Sequence, residues 1–87
     1  MAFNMFSLTF DKKALNELNK LEKPIKERIW KKLQDCKENP SHFLESLVEI
    51  HGFKLRVGDY RAIIDIDNQN KILTVLKIGH RKNIYES

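Results

Sequence analysis

Cysteine is almost missing from this chain. Cys36 stands alone, which excludes an internal disulfide framework and a cysteine-based zinc site. No apolar run approaches the roughly 20 residues that a membrane-spanning helix needs, so no membrane partner is expected. The opening residues, MAFNMFSLTF, carry no basic leader and no small-residue cleavage site, so we expect no signal peptide and a cytoplasmic location. No two histidines stand at helical metal-binding spacing, so neither a metal nor another cofactor is expected. Repeats, linkers and low-complexity segments are also lacking. An excess of one charge is nearly lacking: 16 Lys and Arg face 12 Asp and Glu, a net +4. Residues 1–46 hold nine basic and seven acidic side chains, and residues 47–87 hold seven and five, so each half carries +2. Such a mild and even surplus permits a nucleic-acid partner without demanding one. If charge carries function here, it does so by local placement.

What is present suits a small folded domain. The 87 residues suffice for one domain, expected to span 1–87, and 41% of them are hydrophobic. Residues 5–10 (MFSLTF) read as a strand. Asp11 fits a helix N-cap, with Phe10 and Leu15 at the positions of a hydrophobic staple. Ala14, Leu15, Leu18 and Leu21 follow on one helical face, while Lys12, Lys13, Asn16, Glu17, Asn19 and Lys20 take the solvated side. Pro24 ends that helix and suits the first turn of the next. The second helix is expected from about Pro24 to Glu38, with Ile25, Ile29, Leu33 and Cys36 as its apolar stripe and Trp30 widening it. Trp30 is alternatively an exposed anchor for a partner. About two residues join the helices, so they form a hairpin, and Asn39-Pro40-Ser41 closes it.

The period then changes. Residues 47–57 and 60–66 alternate and are rich in β-formers, and Gly58-Asp59 between them suits a type II′ two-residue turn. Residues 67–71 form another turn. Residues 72–78 are apolar on both faces, as in a central strand, and Ile84-Tyr85-Glu86 could add a short terminal strand. The expected fold is α+β, in the order β-α-α-β-β-β, with the helices packed on one face of an antiparallel meander.

A two-residue loop at Gly58-Asp59 pairs Val57 with Tyr60, Arg56 with Arg61, Leu55 with Ala62 and Lys54 with Ile63. Arg56 and Arg61 then stand opposite each other on one face with Lys54 diagonal to them. Phe53, Leu55, Val57, Tyr60, Ala62, Ile64 and Ile66 take the other face. Directly opposed like charges destabilise a sheet by up to about 1 kcal/mol. Two readings stand side by side: long side chains that splay into water or pair with Asp65 or Asp67, and a site for phosphate oxygens, which guanidinium forks match.

The stretch Lys54-Leu55-Arg56-Val57-Gly58-Asp59-Tyr60-Arg61, the strands after it and the closing Gly79-His80-Arg81-Lys82-Asn83-Ile84-Tyr85 resemble the RelE/ParE toxin superfamily, on its RelE branch. The resemblance covers nearly the whole chain and includes the helical hairpin ending near Asn39-Pro40. It implies the toxin of a type II toxin–antitoxin system: a metal-independent endoribonuclease that cuts messenger RNA in the decoding site of the ribosome. It also implies a RelB-like antitoxin partner, with operator DNA bound only through that antitoxin. Carried over by position, the family's working cations match Lys54, Arg61 and Arg81, and its catalytic tyrosine matches Tyr85. Arg56 and Lys82 add cations for RNA phosphates. Gly52 stands where the best-studied branch has a second lysine, and the spacing from Arg81 to Tyr85 is shorter than there. The alternatives are a ParE-like inhibitor of DNA gyrase, whose branch generally lacks this cation and tyrosine set, and a non-catalytic RNA- or protein-binding module.

The implied chemistry is attack of a 2′-hydroxyl on the adjacent phosphorus, leaving a 2′,3′-cyclic phosphate. Lys54 and Arg61 suit the phosphorane oxygens, and Lys54 is the candidate base. Arg81 would stabilise charge near the leaving oxygen. Tyr85 would stack on a base or share in proton transfer, unless it merely packs on the sheet edge. His80, beside Arg81, is expected to be polar surface and only secondarily an acid or base. His51 has a similarly weak claim to a role, and His42 is assigned none. A lysine face on the second helix (Lys26, Lys31, Lys32) is usually solvated, and would touch RNA backbone if it flanked the site.

Overall fold

A computed structural model describes residues 5–47 and 52–84. The chain runs through β1 (Ser7–Phe10), α1 (Lys12–Asn19), α2 (Lys23–Glu38), a single turn α3 (Pro40–Phe43), β2 (Leu44–Ser46), β3 (Phe53–Val57), β4 (Tyr60–Asp67) and β5 (Ile72–His80). The five strands form one sheet in the order β1-β5-β4-β3-β2. The expected α+β fold, helical hairpin and β-meander are therefore present. The helices lie against one face, where Ala14, Leu18, Ile29, Leu33 and Cys36 pack on Leu55, Val57, Ala62, Ile64, Leu73, Val75 and Ile78. Burial raises the Cys36 thiol to about 11, so it stays a protonated apolar filler. Among the described residues, no helix is long and apolar enough to cross a membrane.

Several details differ from the expectation. Of the strand expected over residues 47–57, β3 forms at Phe53–Val57, Leu47 and Gly52 are outside any strand, and residues 48–51 lie outside the described residues. An unexpected strand, β2, precedes it and pairs antiparallel with β3, Leu44 beside Leu55. Asn39-Pro40-Ser41 does not simply close the hairpin, because Pro40 opens the extra turn α3. β1 pairs in parallel with β5, Ser7 to Ile72 through Phe10 to Val75. Asp11 occupies the N-cap position, but its side chain makes no capping bond. Leu15, expected inside, is 43% exposed, because it stands about 100° around the helix from buried Ala14. Trp30 is 49% exposed and stacks on Phe10, with ring centroids 5.9 Å apart and planes at 9°. Of the proposed terminal strand, Ile84 sits buried in a turn, and Tyr85 and Glu86 lie outside the described residues.

A bulge keeps β5 in phase with the core. Ile63 pairs with Lys77, but the next residue, Ile64, pairs with Val75, so Leu76 is the extra residue. Ile78, Val75 and Leu73 thereby all face the helices although the first step between them is odd. The turn at 67–71 forms as expected. The Asp67 carboxylate accepts from the Asn70 amide (3.0 Å) and side chain (2.9 Å), and Lys71 takes φ 57°. Those two bonds hold the Asp67 carboxyl below its ordinary value. The stabilisation they add is present above the ordinary Asp range and fades as pH falls through the lowered value.

β1 ends at Phe10 while β5 continues to His80, which leaves the outer edge of β5 without a strand beyond Val75. The chain itself covers that edge. The Asp11 amide donates to the Val75 carbonyl at 2.8 Å, and the Glu17 carboxylate reaches from α1 to accept from the Ile78 N–H at 2.9 Å. Glu17, assigned to the solvated side by periodicity, is thus half-buried and satisfies a sheet donor. Glu17→Ala should lower stability by about 1–3 kcal/mol, the range for orphaning a buried donor, while Glu17→Gln, which keeps an acceptor oxygen, should lose less. Urea denaturation of the two variants checks the order.

Candidate functional site

The β3–β4 hairpin has the register read from its turn. Val57 pairs with Tyr60, Arg56 with Arg61, Leu55 with Ala62 and Lys54 with Ile63. Gly58 has φ +58°, and Asp59 has no positive φ. This combination fits a type II′ turn and excludes type I′, which needs positive φ at both central positions. Leu55, Val57, Ala62 and Ile64 are buried under the helices, so Lys54, Arg56 and Arg61 project from the opposite, open face. The next strand adds Gly79 opposite Arg61 and Lys77 opposite Ile63.

The cations are not left to splay. Arg61 folds back over the turn, where Nη1 donates to the carbonyls of Gly58 (2.7 Å) and Tyr60 (2.8 Å). Its guanidinium has five N–H donors, so most of the fork remains available to an incoming oxyanion. The same turn receives the end of the chain: the Arg81 amide donates to the Asp59 carbonyl at 2.8 Å, and Arg81 Nε stands 3.9 Å from Asp59 Oδ1. Arg81 is thereby placed beside the hairpin although it lies twenty residues from Arg61. Lys54 is partly buried, with Nζ 3.8 Å from Glu45 Oε2 on β2. Arg56 is exposed, as is Lys82, whose amide donates to His80 Nδ1 at 3.2 Å.

Surface pairing occurs between Lys54 and Glu45 and between Arg81 and Asp59, while Asp67 is taken up by Asn70. Lys54, Arg56 and Arg61 stand on one hairpin and Arg81 docks on its turn, Lys82 follows Arg81 as an exposed residue, and Tyr85 lies outside the described residues. Instead of polar surface in a turn, His80 closes β5, facing the helix side and meeting Tyr60 edge-on at 5.4 Å. His42 meets Phe43 edge-on at 4.7 Å, and His51 lies outside the described residues. Glu45 and Arg28 escaped the sequence reading. Glu45 falls in a strand too short to signal itself. Arg28 belongs with Lys31 and Lys32 at i, i+3 and i+4, a helical stripe that could have been noticed. Its Nη2 lies 3.1 Å from where a Cβ on Gly58 would stand.

The chain matches a family model described as the ParE toxin of the type II toxin–antitoxin system parDE, over residues 8–85. It is 30% identical over 80 residues to a putative RelE-like toxin protein of Escherichia coli and 29% identical to the mRNA interferase toxin RelE of E. coli strain K12. Each match covers 88% of this chain and 84% of the relative. Among solved structures, it is similar to a chain of the toxin–antitoxin complex RelBE2 from Mycobacterium tuberculosis. That likeness has a TM-score of 0.81 at 26% identity and covers 88% of this chain and 99% of the other. The intact E. coli RelBE complex gives a TM-score of 0.68 at 28% identity, covering 86% and 95%.

Gly52 bears on the position at which one branch of that superfamily carries a lysine. It is buried and has φ +138°, a conformation that side chains with a Cβ rarely adopt. Space is not the obstacle, since an added Cβ would meet the Ile64 carbonyl at 3.5 Å and Ile63 Cγ2 at 3.6 Å, ordinary contacts. The backbone is. Gly52→Lys and Gly52→Ala should each lower stability by about 1–3 kcal/mol, read as a shift in the urea midpoint. Equal losses for the two would place the cause in the shared φ strain and not in the charge.

Proposed function

This chain belongs to the RelE/ParE family of toxins from type II toxin–antitoxin systems, and from that membership we propose that it is an endoribonuclease cutting messenger RNA on the ribosome. The observation that supports this most is the meeting of Arg61 and Arg81 at one two-residue turn, with Lys54 of β3 on the same face of the sheet as Arg61 of β4. The curated relatives named mRNA interferase agree with it.

In this reading the scissile phosphate lies on the open face beside the hairpin. Arg61, braced on the Gly58 and Tyr60 carbonyls, presents its remaining donors to the phosphorane oxygens without having to reorganise. Lys54 acts as the base in its neutral amine form, taking the proton of the attacking 2′-hydroxyl and becoming an ammonium. Arg81 stabilises charge on the leaving 5′-oxygen, Tyr85 stacks on a neighbouring base, and Arg56 and Lys82 hold flanking phosphates. Glu45 and Asp59 act as placeholders that keep two cations in position until phosphate replaces them. No metal takes part. A shallow open face orients an RNA poorly by itself, so the ribosome supplies the alignment that the protein cannot. The partner that silences the toxin is a RelB-like antitoxin, as in the solved complexes of its relatives. A second reading, inhibition of DNA gyrase, draws on the matching model being that of a ParE toxin.

Translating ribosomes with the wild-type protein should yield new transcript 5′ ends and 2′,3′-cyclic phosphate termini. Arg61→Ala and Arg81→Ala should each slow cutting by about 10²–10³-fold, the range for removing one preorganised charge-stabilising donor. An uncut transcript together with trapped gyrase–DNA complexes would replace this reading by the second.

A further inference from the structure

The other side of the same hairpin carries a second basic cluster. Arg28, Lys31 and Lys32 of α2 and Arg56 of β3 line an open notch of about 300 Å³, together with Asp35, Val57 and Gly58. Four cations thus face one carboxylate. Gly58 makes room for them, because the Arg28 guanidinium lies directly on the glycine. Lys32 is held over the Phe43 ring, 5.1 Å from its centroid. Among the described residues, no carboxylate stands within ion-pair distance of Arg28, Lys31 or Arg56, in contrast to Lys54 and Arg81. The cluster has no evident internal use, since like charges held together oppose folding.

We propose that this notch is a separate phosphate site that grips the backbone of a folded RNA, apart from the open face where cutting is placed. The proposal rests on the RNA reading above and extends it to a different stretch of RNA. Arg56 joins the two regions: its backbone register sets it opposite Arg61 on the open face, and its side chain lines the notch. Arg56 is thus the one residue shared by the open face and the notch. An acidic protein segment fits less well. The notch offers Val57 as its only apolar lining residue, whereas peptide recognition needs apolar anchors and backbone phosphates need only cations.

The test uses the full chain and a 20-base-pair RNA duplex, which presents backbone without an unpaired strand to cut. Its binding is measured between about 50 and 300 mM salt for the wild type and for the R28Q/K31Q double variant. Both positions are exposed and glutamine keeps helix propensity, so the variant should fold, which circular dichroism verifies. The slope of log affinity against log salt should shrink by about 1.5–2 in the variant, reflecting two lost phosphate contacts. Affinity near 0.1 M salt should drop about tenfold or more. An unchanged slope, or a wild-type chain that ignores the duplex, overturns the proposal. So does a variant that loses binding to poly-glutamate while holding the duplex as before, which would assign the notch to an acidic protein. Failure of the cleavage reading is seen separately, in the transcript 5′ ends of the wild type, and leaves the duplex slope untouched.

Discussion

The two-residue turn at Gly58-Asp59 is the constraint from which the rest of the molecule follows. In a hairpin, the loop length sets the register, and the register sets the face of every side chain. With two residues in the loop, Leu55, Val57, Ala62 and Ile64 all fall under the helices. A slip by one residue would send that set to solvent and bury Lys54 and Arg56. The turn is also a piece of machinery. Its carbonyls brace Arg61, its Asp59 receives the main chain and side chain of Arg81, and its glycine lets Arg28 lie flat against it. One dipeptide therefore organises three arginines that come from β4, from the segment after β5 and from α2.

Much of this was legible in the sequence because it is local. The hairpin is written in Gly58-Asp59 and the alternation around it. The helical pair is written in a 3.6-residue stripe broken at Pro24. The cations Lys54, Arg56 and Arg61 could be placed on one face by counting outward from the turn. What could not be read depends on contacts between distant residues. The parallel pairing of Ser7 with Ile72 joins segments 65 residues apart, and no turn chemistry announces it. β2 is three residues long, below the length at which alternation signals a strand. Glu17 looks like a solvated helix residue until β1 ends one turn too early and leaves the Ile78 N–H to be satisfied. The approach of Arg81 to Asp59 also depends on the bulge at Leu76, which sets how β5 arrives at the hairpin.

The relation between the bulge and the site has a physical basis. Without the extra residue, β5 could present either Ile78 or Val75 to the helices, but not both. The bulge keeps both buried and still brings Gly79 opposite Arg61. A side chain at position 79 on the open face would crowd this row. An added Cβ there would also meet Ile84 Cδ1 at 3.2 Å, tighter than most real contacts. Core packing and the open basic face are therefore set by the same irregularity.

Electrostatics gives the mild net charge its meaning. A total of +4 spread evenly over both halves names no partner. The fold makes the charge uneven by bringing Arg61 and Arg81 to one turn, setting Lys54 and Arg56 along β3 leading into it, and placing Arg28, Lys31 and Lys32 behind it. Some members of the cluster are compensated. Lys54 has Glu45, Arg81 has Asp59, and Arg61 has two carbonyls. These partners are exposed or held at nearly 4 Å, so each ion pair contributes little to stability, of order 0–1 kcal/mol. Weak pairing is what a phosphate site requires, since a polyanion can displace a carboxylate at 3.8 Å far more readily than one in a tight bidentate bridge. The acids on this face are thus better understood as holders of position than as sources of stability, and the arginines without acids mark where an external anion has the most to gain.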